Sequence, residues 1–508
     1  ISFLGFVSSK SHPDFEWYHL PYLNYLQNYK IVFGIGNLSD FLGYSQTWND
    51  IIGIFRIPIV DYRVANFAPI IFCISIVYSI LHFANISKFH YVKVFIYLIL
   101  IFIISKYYKF DEYGGHIPPI FLGFLINIYF FIFIIENNKD NEYSIILKIF
   151  IFSFFLIFLR ANYIFILPII IYFLIFKFKI VYEILLNKKF VLLVIFVPSI
   201  FVIKNIIVSG CIYYPIDFSC ISNEKLSWSI GKEYAKERFD LVKALSRGWS
   251  SYITLNGNIP SRLDYFEPML KGLIMKPAEY LAIYKNTWFK YWLNTGDAKK
   301  LLNNIFIMFF CFLVLSFKSG IFKILSCESK LFKKYIIVFV VFLIQIYLCY
   351  KFAPQTIYGA DVVTVVFLSL IVSFFLQNIN LNYSISKFLM GLLFFISISY
   401  FEYKNIFRLY EELKNDNIFI FRPWLNVKQN ILGKDYYKYS INKYQINVKN
   451  KKQNRHIGLP DYCGNIPMFC LAEDRKLCIE NIEIKKGYYF IKGNNKECLK
   501  HLKSRYFY

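Results

Sequence analysis

The stretch Ile117–Ile135 reads Ile-Pro-Pro-Ile-Phe-Leu-Gly-Phe-Leu-Ile-Asn-Ile-Tyr-Phe-Phe-Ile-Phe-Ile-Ile and contains no charged side chain. About 17 to 25 such residues are enough for a helix to cross the hydrocarbon core of a bilayer. Hydrophobic residues make up 57% of the 508-residue chain, which also has 57 Phe. This composition excludes an ordinary soluble domain. The predicted fold class is therefore mainly α, a polytopic α-helical membrane protein.

Similar apolar runs recur along most of the chain and bring the count to ten predicted spans. Ile1–Val7 is interpreted as the remnant of a further, first helix. The other nine predicted spans are Val64–Ala84, Val92–Tyr108, Ile145–Leu159, Tyr163–Phe176, Phe190–Val208, Asn303–Phe317, Tyr335–Phe352, Asp361–Leu376 and Phe388–Tyr400.

Two loops between predicted spans are strongly basic, at 177–189 and 318–334, and the positive-inside rule places both in the cytoplasm. Counting spans from them puts the remaining long segments on the outer side. We therefore predict a transmembrane domain at 1–400 and an extracytoplasmic C-terminal domain at 401–508. The predicted outer segments are 8–63, 109–116, 209–300, 353–359 and the tail from 401.

The formal net charge is +24, and many of the lysines lie in the predicted cytoplasmic loops. Because the basic residues are scattered and no recognition module is visible, we expect no nucleic-acid partner. Attraction to the headgroups of anionic membrane lipids is sufficient to explain the charge.

Within the outer segments, the composition of 232–244 is compatible with a helix, and the alternation over 482–491 predicts a strand or hairpin.

Six of the ten cysteines fall on the predicted outer side, and an even number there is compatible with disulfides in an oxidising compartment. By their order they group as Cys211/Cys220, Cys463/Cys470 and Cys478/Cys498. The four cysteines of the tail allow three connectivities, so the pairing there stays open.

An acidic and aromatic stretch, Asp14-Phe-Glu16-Trp-Tyr18-His19-Leu-Pro, precedes the first complete span. Charge at a membrane surface costs far less than at the bilayer centre. A carboxylate there can take a proton from an acceptor hydroxyl, or hold a divalent cation such as Mg²⁺ or Mn²⁺. The alternative is a loop of ordinary solvated charges and interfacial aromatic residues.

A second predicted outer loop reads Asp111-Glu112-Tyr-Gly-Gly-His116, and its glycines let the backbone approach a ligand. Asp14 and Asp111 are candidate ligands of one metal ion, and the alternative for this loop is a helix cap.

Lys204 and Asn205 lie at the outer end of a predicted span. A cation there can hold a lipid phosphate, or it can simply extend its ammonium group to the interface, and Arg160 has the same two interpretations.

Several signals are absent from the sequence: a Walker motif, a Gly-x-Gly-x-x-Gly loop, an HExxH pair and zinc-type CxxC spacing. The predicted cytoplasmic loops are also too short for a nucleotide-binding domain. A nucleotide-sugar donor used in the cytoplasm is therefore disfavoured.

With these motifs, the chain resembles a group of poorly characterised bacterial polytopic membrane proteins related to the C-type glycosyltransferases and associated with surface-polysaccharide synthesis. The resemblance is spread over most of the chain, and its most specific part is the opening segment. The matching residues are Asp14, Tyr18, His19 and Leu20, then Phe33-Gly34-Ile-Gly36-Asn37-Leu38, Leu42-Gly43-Tyr44-Ser45 with Trp48, Pro198, Lys204-Asn205, Ser209-Gly210, Tyr214-Pro215, and Cys463 and Cys470 enclosing Pro467.

One departure concerns the family's outer Ala-Pro-Asp-Pro-Arg-Phe motif, which reads Ala353-Pro-Gln-Thr-Ile-Tyr358 here. Both the acid and the arginine are missing. If that arginine binds phosphate in the family, either Lys204 or Lys351 replaces it here or the activity is altered.

The resemblance implies transfer of a sugar from a polyprenyl-phosphate-linked donor to a glycan or lipid-linked acceptor, on the outer face of the bacterial cytoplasmic membrane. The residues expected to act in catalysis are Asp14, Glu16, His19, Asp111 and Glu112. Those expected to bind substrate are Tyr18, His116, Lys204 and Asn205. The alternatives are a transporter or flippase of lipid-linked glycans, which favours ionisable residues and broken helices near the midplane, and a non-catalytic assembly subunit.

Overall fold

The structure is a computed structural model. It describes residues 22, 25–26, 31–38, 40–44, 47–54, 67–106, 117–136, 141–256, 275–316, 329–352, 354–376, 383–414, 436–441, 444–449, 470–472, 479–485 and 488–493.

Helices account for most of the described residues. In chain order they are α1 (Asp40–Gly43), α2 (Thr47–Ile54), α3 (Phe67–Ile86), α4 (His90–Lys106), α5 (Ile117–Glu136), α6 (Glu142–Leu159), α7 (Leu167–Phe176), α8 (Phe178–Leu186), α9 (Lys188–Ser209), α10 (Lys232–Ser246), α11 (Trp249–Asn256), α12 (Pro277–Ile283), α13 (Phe289–Trp292), α14 (Gly296–Ser316), α15 (Ser329–Phe352), α16 (Ala360–Leu376) and α17 (Tyr383–Lys414).

Short 3-10 helices and two small sheets complete the described elements. The 3-10 helices are Ile35–Asn37, Ala161–Ile166, Asp217–Ser219 and Thr356–Tyr358. The strands are β1 (Val32–Phe33), β2 (Tyr436–Ile441), β3 (Tyr444–Lys449), β4 (Cys470–Ala472), β5 (Ile479–Lys485) and β6 (Tyr488–Gly493).

Each of the ten predicted spans overlaps a helix, so the mainly α-helical class is confirmed. A pair of helices, Asn162–Phe176 and Phe178–Leu186, meets at 101° and forms either a broken span or a re-entrant loop. The count of ten spans remains a prediction. Five helices in the described part of the chain are long and apolar enough to cross a membrane: Ala68–Ile86, Ile117–Glu136, Glu142–Leu159, Lys188–Ser209 and Lys330–Phe352.

Helix α5 is buried along its whole length, as expected for a helix that is apolar on every side. Pro118 and Pro119 fall in its first turn, where a missing N–H removes no helical hydrogen bond. The Asn127 amide turns back on the helix and donates to the carbonyl oxygen of Gly123 at 2.8 Å. Around α5 pack α3, α4, α6, α15 and α16.

The chain divides into two compact units, each made of three segments of the chain. The first comprises Ile1–Lys10, Asn66–Val194 and Gly296–Arg422. The second comprises Ser11–Ala65, Ile195–Thr295 and Pro423–Tyr508. The second unit therefore combines most of the two long predicted outer segments with most of the tail.

Helix α17 runs from Tyr383 to Lys414, so the boundary predicted after Tyr400 falls inside a helix. Ser397, Phe401 and Asn405 are buried at a spacing of four residues, which is the spacing of one helical face. The sequence becomes polar beyond Tyr400, but a change of polarity does not end a helix when no Gly or Pro interrupts it.

The second unit contains both sheets. In one, β1 pairs parallel with β6 and β6 pairs antiparallel with β5, while in the other β2 pairs antiparallel with β3 and β3 parallel with β4. The strand or hairpin predicted over 482–491 is a hairpin, formed by β5 and β6. Ile482 and Ile491 are directly opposite each other in this hairpin, so their side chains lie on the same face of the sheet, and both are buried.

Candidate substrate-binding site

Most of the predicted site residues lie outside the described residues: Asp14, Glu16, Tyr18, His19, Asp111, Glu112 and His116, and with them the tentative metal ligands. Cys463, Cys478 and Cys498 also lie outside them. The predicted helix at 232–244 forms as α10. Of the predicted substrate-binding residues, Lys204 and Asn205 are described, both near the C-terminal end of α9.

The Lys204 ammonium group forms an ion pair with one carboxylate oxygen of Asp50, which lies in the first turn of α2. The other carboxylate oxygen accepts a 2.7 Å hydrogen bond from the Tyr22 hydroxyl. The Nζ atom of Lys204 also lies 5.5 Å from the centroid of the Tyr22 ring, a cation–π distance. These three residues form one cluster within the second unit, and we refer to it as the Lys204 site.

Buried residues hold the Lys204 site in place, and its two charged side chains are partly exposed. Trp48, Asn49 and Ile52 are buried and seat α2, so that Asp50 projects from a fixed helix. Tyr22 is buried, and the neighbouring Tyr25 hydroxyl accepts a 2.9 Å hydrogen bond from the Val32 N–H. By contrast, the Lys204 and Asp50 side chains are 21% and 31% exposed.

Burial, and then the neighbouring Asp50 carboxylate, raise the pKa of Tyr22 well above its usual value. Tyr22 therefore stays protonated at neutral pH and donates its hydroxyl proton to the hydrogen bond with Asp50. The arrangement leaves a partly exposed ammonium group and a partly exposed carboxylate side by side. An ammonium group can bind a phosphate, and a carboxylate can accept a proton from a hydroxyl.

Asn205 is buried and holds the chain rather than facing solvent. Its Nδ2 donates to the carbonyl oxygen of Ile212 at 2.9 Å, and its own carbonyl accepts from the Ser209 hydroxyl at 2.9 Å. The predicted disulfide between Cys211 and Cys220 is present in the following loop. Asn205 thus fixes the C-terminal end of α9, and its predicted contact with substrate remains a prediction.

Asn37, one of the residues matched by the resemblance, connects three distant parts of the second unit. Its Nδ2 donates to the carbonyl oxygen of Trp228 at 2.9 Å and to that of Ile491 at 3.0 Å. Nearby, Phe33 stacks on Phe490 with ring centroids 4.5 Å apart, and Trp228 contacts both rings edge-on. The opening segment, the loop after α9 and strand β6 therefore meet at Asn37.

Gly34 provides the close approach that this junction needs. Its φ is +74°, and a Cβ atom there would lie 2.5 Å from the carbonyl oxygen of Ile491 and 2.8 Å from that of Trp228. Its N–H donates to the carbonyl oxygen of Ile207 at 2.8 Å. Only glycine combines this backbone conformation with so little space.

Other residues matched by the resemblance also pack around the disulfide. Tyr214 is buried and its ring lies 5.1 Å from that of Tyr44. Cys211, Tyr214, Cys220, Ile230, Tyr234 and Ala235 form one buried cluster. Several residues that carry the family resemblance in this region are therefore core residues of the fold that holds the Lys204 site.

A second polar cluster, in the first unit, was missed by the sequence reasoning. Asp361 lies in the first turn of α16 and is only 1% exposed. Its Oδ1 accepts a 2.6 Å hydrogen bond from the amide of Asn304, which is also buried. A helix N-terminus favours a carboxylate, because the N–H groups of the first turn carry partial positive charge.

Cations accompany the carboxylates of this cluster. Lys106 interacts electrostatically with Asp361, Asp297 and Lys300. The Asp297 carboxylate accepts a 3.0 Å hydrogen bond from the Thr356 hydroxyl. Arg160 lies over the ring of Tyr358, 5.6 Å from its centroid.

The sequence analysis does not single out Asp361, because it is the first residue of the predicted span Asp361–Leu376. The signal that identifies it is an acid next to a glycine turn, with a second polar residue, Asn304, inside another apolar run. The predicted metal remains a prediction, since its proposed ligands are outside the described range. Among the residues that the structure describes, no three His, Cys, Asp or Glu side chains come together as a metal site.

Comparison with known proteins gives a family but no activity. No curated protein matches the chain, and no solved structure does. The family model described as "Domain of unknown function (DUF8201)" matches residues 1–262, which are 262 of the 508 residues and include the whole Lys204 site. The chain therefore belongs to the family described as Domain of unknown function (DUF8201).

Proposed function

We propose that the chain is a membrane glycosyltransferase that moves a sugar from a polyprenyl-phosphate-linked donor to a glycan or lipid-linked acceptor. The reaction takes place on the outer face of the bacterial cytoplasmic membrane, in surface-polysaccharide synthesis. The observation that carries the proposal is the Lys204 site, where a partly exposed ammonium group is held at the end of a helix long and apolar enough to cross a membrane.

In this reaction an acceptor hydroxyl attacks the anomeric carbon of the sugar, and the bond between that carbon and the phosphate oxygen breaks. The hydroxyl proton passes to a carboxylate, and the polyprenyl phosphate leaves with the bonding electrons. Asp14 is the proposed base, with Asp111, Glu112, Glu16 and His19 assisting. Lys204 stabilises the charge on the departing phosphate. If Mg²⁺ or Mn²⁺ takes part, Asp14 and Asp111 hold it.

The grouping of the outer segments supports the proposal. The segments 8–63 and 209–300 and the tail were each placed on the outer side from the positions of basic loops. Most of their length forms one compact unit. A transferase that accepts a glycan needs a folded outer part of this kind to bind it.

The alternative of a transporter or flippase has one observation in its favour. The break between α7 and α8 lies at Lys177, which forms a 2.9 Å ion pair with Glu142. Broken helices and paired charges are features of transporter sites. In the predicted topology, however, Lys177 belongs to a cytoplasmic loop and not to the bilayer midplane, so we favour the transferase.

Deleting the gene distinguishes the two functions. A missing transferase leaves the lipid-linked donor accumulated on the outer face, where a periplasmic glycosidase or impermeant oxidant reaches it in intact spheroplasts. A missing flippase leaves the donor on the cytoplasmic face, protected until lysis. Accumulation on the inner face, or a surface glycan of unchanged composition, contradicts the proposed transfer.

A further inference from the structure

The ion pair between Lys204 and Asp50 has no role in the proposed reaction. Its ammonium group already has two neighbours, the Asp50 carboxylate and the face of the Tyr22 ring. A phosphate that binds Lys204 therefore meets a carboxylate at the same nitrogen atom. Like charges so close repel each other, and this repulsion weakens binding.

Asp50 is held in place independently of Lys204. The Tyr22 hydroxyl donates to its Oδ1, and α2 is seated by its buried face. Lys204, in contrast, carries its charge on a four-carbon stem with rotatable bonds. Because the lysine is the mobile partner, an arriving anion can draw the ammonium group away from the carboxylate without disturbing α2.

We infer that Asp50 is an internal competitor for a phosphate monoester that binds Lys204. In the empty state Asp50 neutralises the ammonium group. In the occupied state the phosphate replaces Asp50, whose carboxylate is then left with the Tyr22 hydroxyl as its partner. This inference rests on the proposed function, because it identifies the phosphate of the lipid carrier as the group that Lys204 binds.

Removing the charge of Asp50 changes the affinity for phosphate in a direction that depends on the role of Asp50. If Asp50 competes, removing its charge strengthens phosphate binding, because the fraction of Lys204 that is free for the ligand rises. If Asp50 instead orients Lys204 for the ligand, removing its charge weakens binding. An exposed or partly exposed ion pair corresponds to a change of roughly two- to fivefold in affinity.

The experiment measures binding of a fluorescent short-chain polyprenyl monophosphate to the full chain in nanodiscs. Asp50→Asn keeps the shape of the side chain and an oxygen for the Tyr22 hydroxyl, and we expect it to bind the probe about two- to fivefold more tightly. Lys204→Met keeps the stem without the charge and should lose most of the binding. In the double variant Asp50→Asn/Lys204→Met, affinity should equal that of Lys204→Met alone.

A second ion pair supplies matched controls. Lys177 and Glu142 also form a partly exposed pair, with side chains 29% and 14% exposed, in the first unit. Glu142→Gln and Lys177→Met should leave phosphate affinity unchanged. For every variant, the Cys211–Cys220 disulfide and the thermal midpoint show whether the protein has folded.

Unchanged or weaker binding by a folded Asp50→Asn variant overturns the inference, and so does tighter binding by Glu142→Gln. Inorganic phosphate and an uncharged polyprenol serve as competitors. Displacement by inorganic phosphate assigns the site to the phosphate group alone, and displacement only by the lipid phosphate assigns it to the carrier. Displacement by the polyprenol also contradicts the inference.

The outcomes separate this inference from the proposed function. If the wild-type protein transfers sugar and Asp50→Asn does not tighten binding, the competitor role fails and the transferase stands. If Asp50→Asn tightens binding but no transfer is detected, the phosphate site stands and the transferase fails.

Discussion

The side-chain amide of Asn37 donates a 3.0 Å hydrogen bond to the carbonyl oxygen of Ile491, near the opposite end of the chain. This contact joins the part of the chain matched by the family model, residues 1–262, to a tail strand that lies outside that match. Strand β1 has only two residues, Val32 and Phe33, and it pairs with β6 alone. The tail hairpin is therefore part of the folded second unit.

Asn37→Ala should destabilise the protein by about 1–3 kcal/mol, because the carbonyl groups of Trp228 and Ile491 lose their shared donor in a buried place. The thermal midpoint in detergent measures this change, and protease should cut the tail faster. Asn294→Ala is the matched control, since that exposed amide bonds only to Lys290 in its own turn. Equal midpoints for the two variants would show that Asn37 does not hold the tail.

Gly34→Ala should lower the free energy of unfolding by more than about 2 kcal/mol, since the positive φ and the nearby carbonyl oxygens both oppose a Cβ atom. Gly296→Ala is the control, because a Cβ there meets nothing within 4 Å. We expect that variant to stay within about 0.5 kcal/mol of wild type. Thermal unfolding of the two variants side by side tests this prediction, which a wild-type midpoint for Gly34→Ala would contradict.

The helices were predictable because an apolar run of membrane length has few alternatives to a helix. Gly34 and Asn37 stand out in the sequence only as part of the family resemblance. Their role at the junction with β6 is not predictable from the sequence. Asn37 bonds to residues far away in the chain, and no local periodicity contains that information. The hairpin of β5 and β6 was predictable from alternation, whereas its pairing with β1 was not.

Asp361→Ala should destabilise the first unit by about 1–3 kcal/mol, because it leaves the buried amide of Asn304 without its acceptor. Glu233→Ala is a matched control, since Glu233 also lies in the first turn of a helix but is exposed. The difference between their thermal midpoints isolates the effect of burial. An Asp361→Ala variant as stable as Glu233→Ala would mean that the buried hydrogen bond contributes nothing.

The predicted topology places Ser11 and Gly114 on the outer side and Ser319 in the cytoplasm. Cysteines introduced as Ser11→Cys and Gly114→Cys should react with a membrane-impermeant thiol reagent on intact spheroplasts. Ser319→Cys should react only after lysis. The reverse pattern would move both acidic loops to the cytoplasm and remove the proposed site.

Two parts of the candidate site differ in how far the sequence could predict them. Lys204 was identified because a cation at the end of an apolar run is conspicuous. Its partner Asp50 was not, because an acid in a short amphipathic helix has no distinguishing neighbours in the sequence. Only the packing of α2 and Tyr22 brings that carboxylate to Lys204.

Sugar transfer by the purified protein tests the central claim most directly. The protein in nanodiscs is incubated with radiolabelled polyprenyl-phosphate-linked sugars from the producing strain and with the acceptor glycan. We expect label to appear in the glycan with wild type, to fall about 10²- to 10⁴-fold with Asp14→Asn, and to fall less with Glu16→Gln. Transfer at the wild-type rate by a well-folded Asp14→Asn variant, or no transfer by the wild-type protein with any of these donors, would contradict the account.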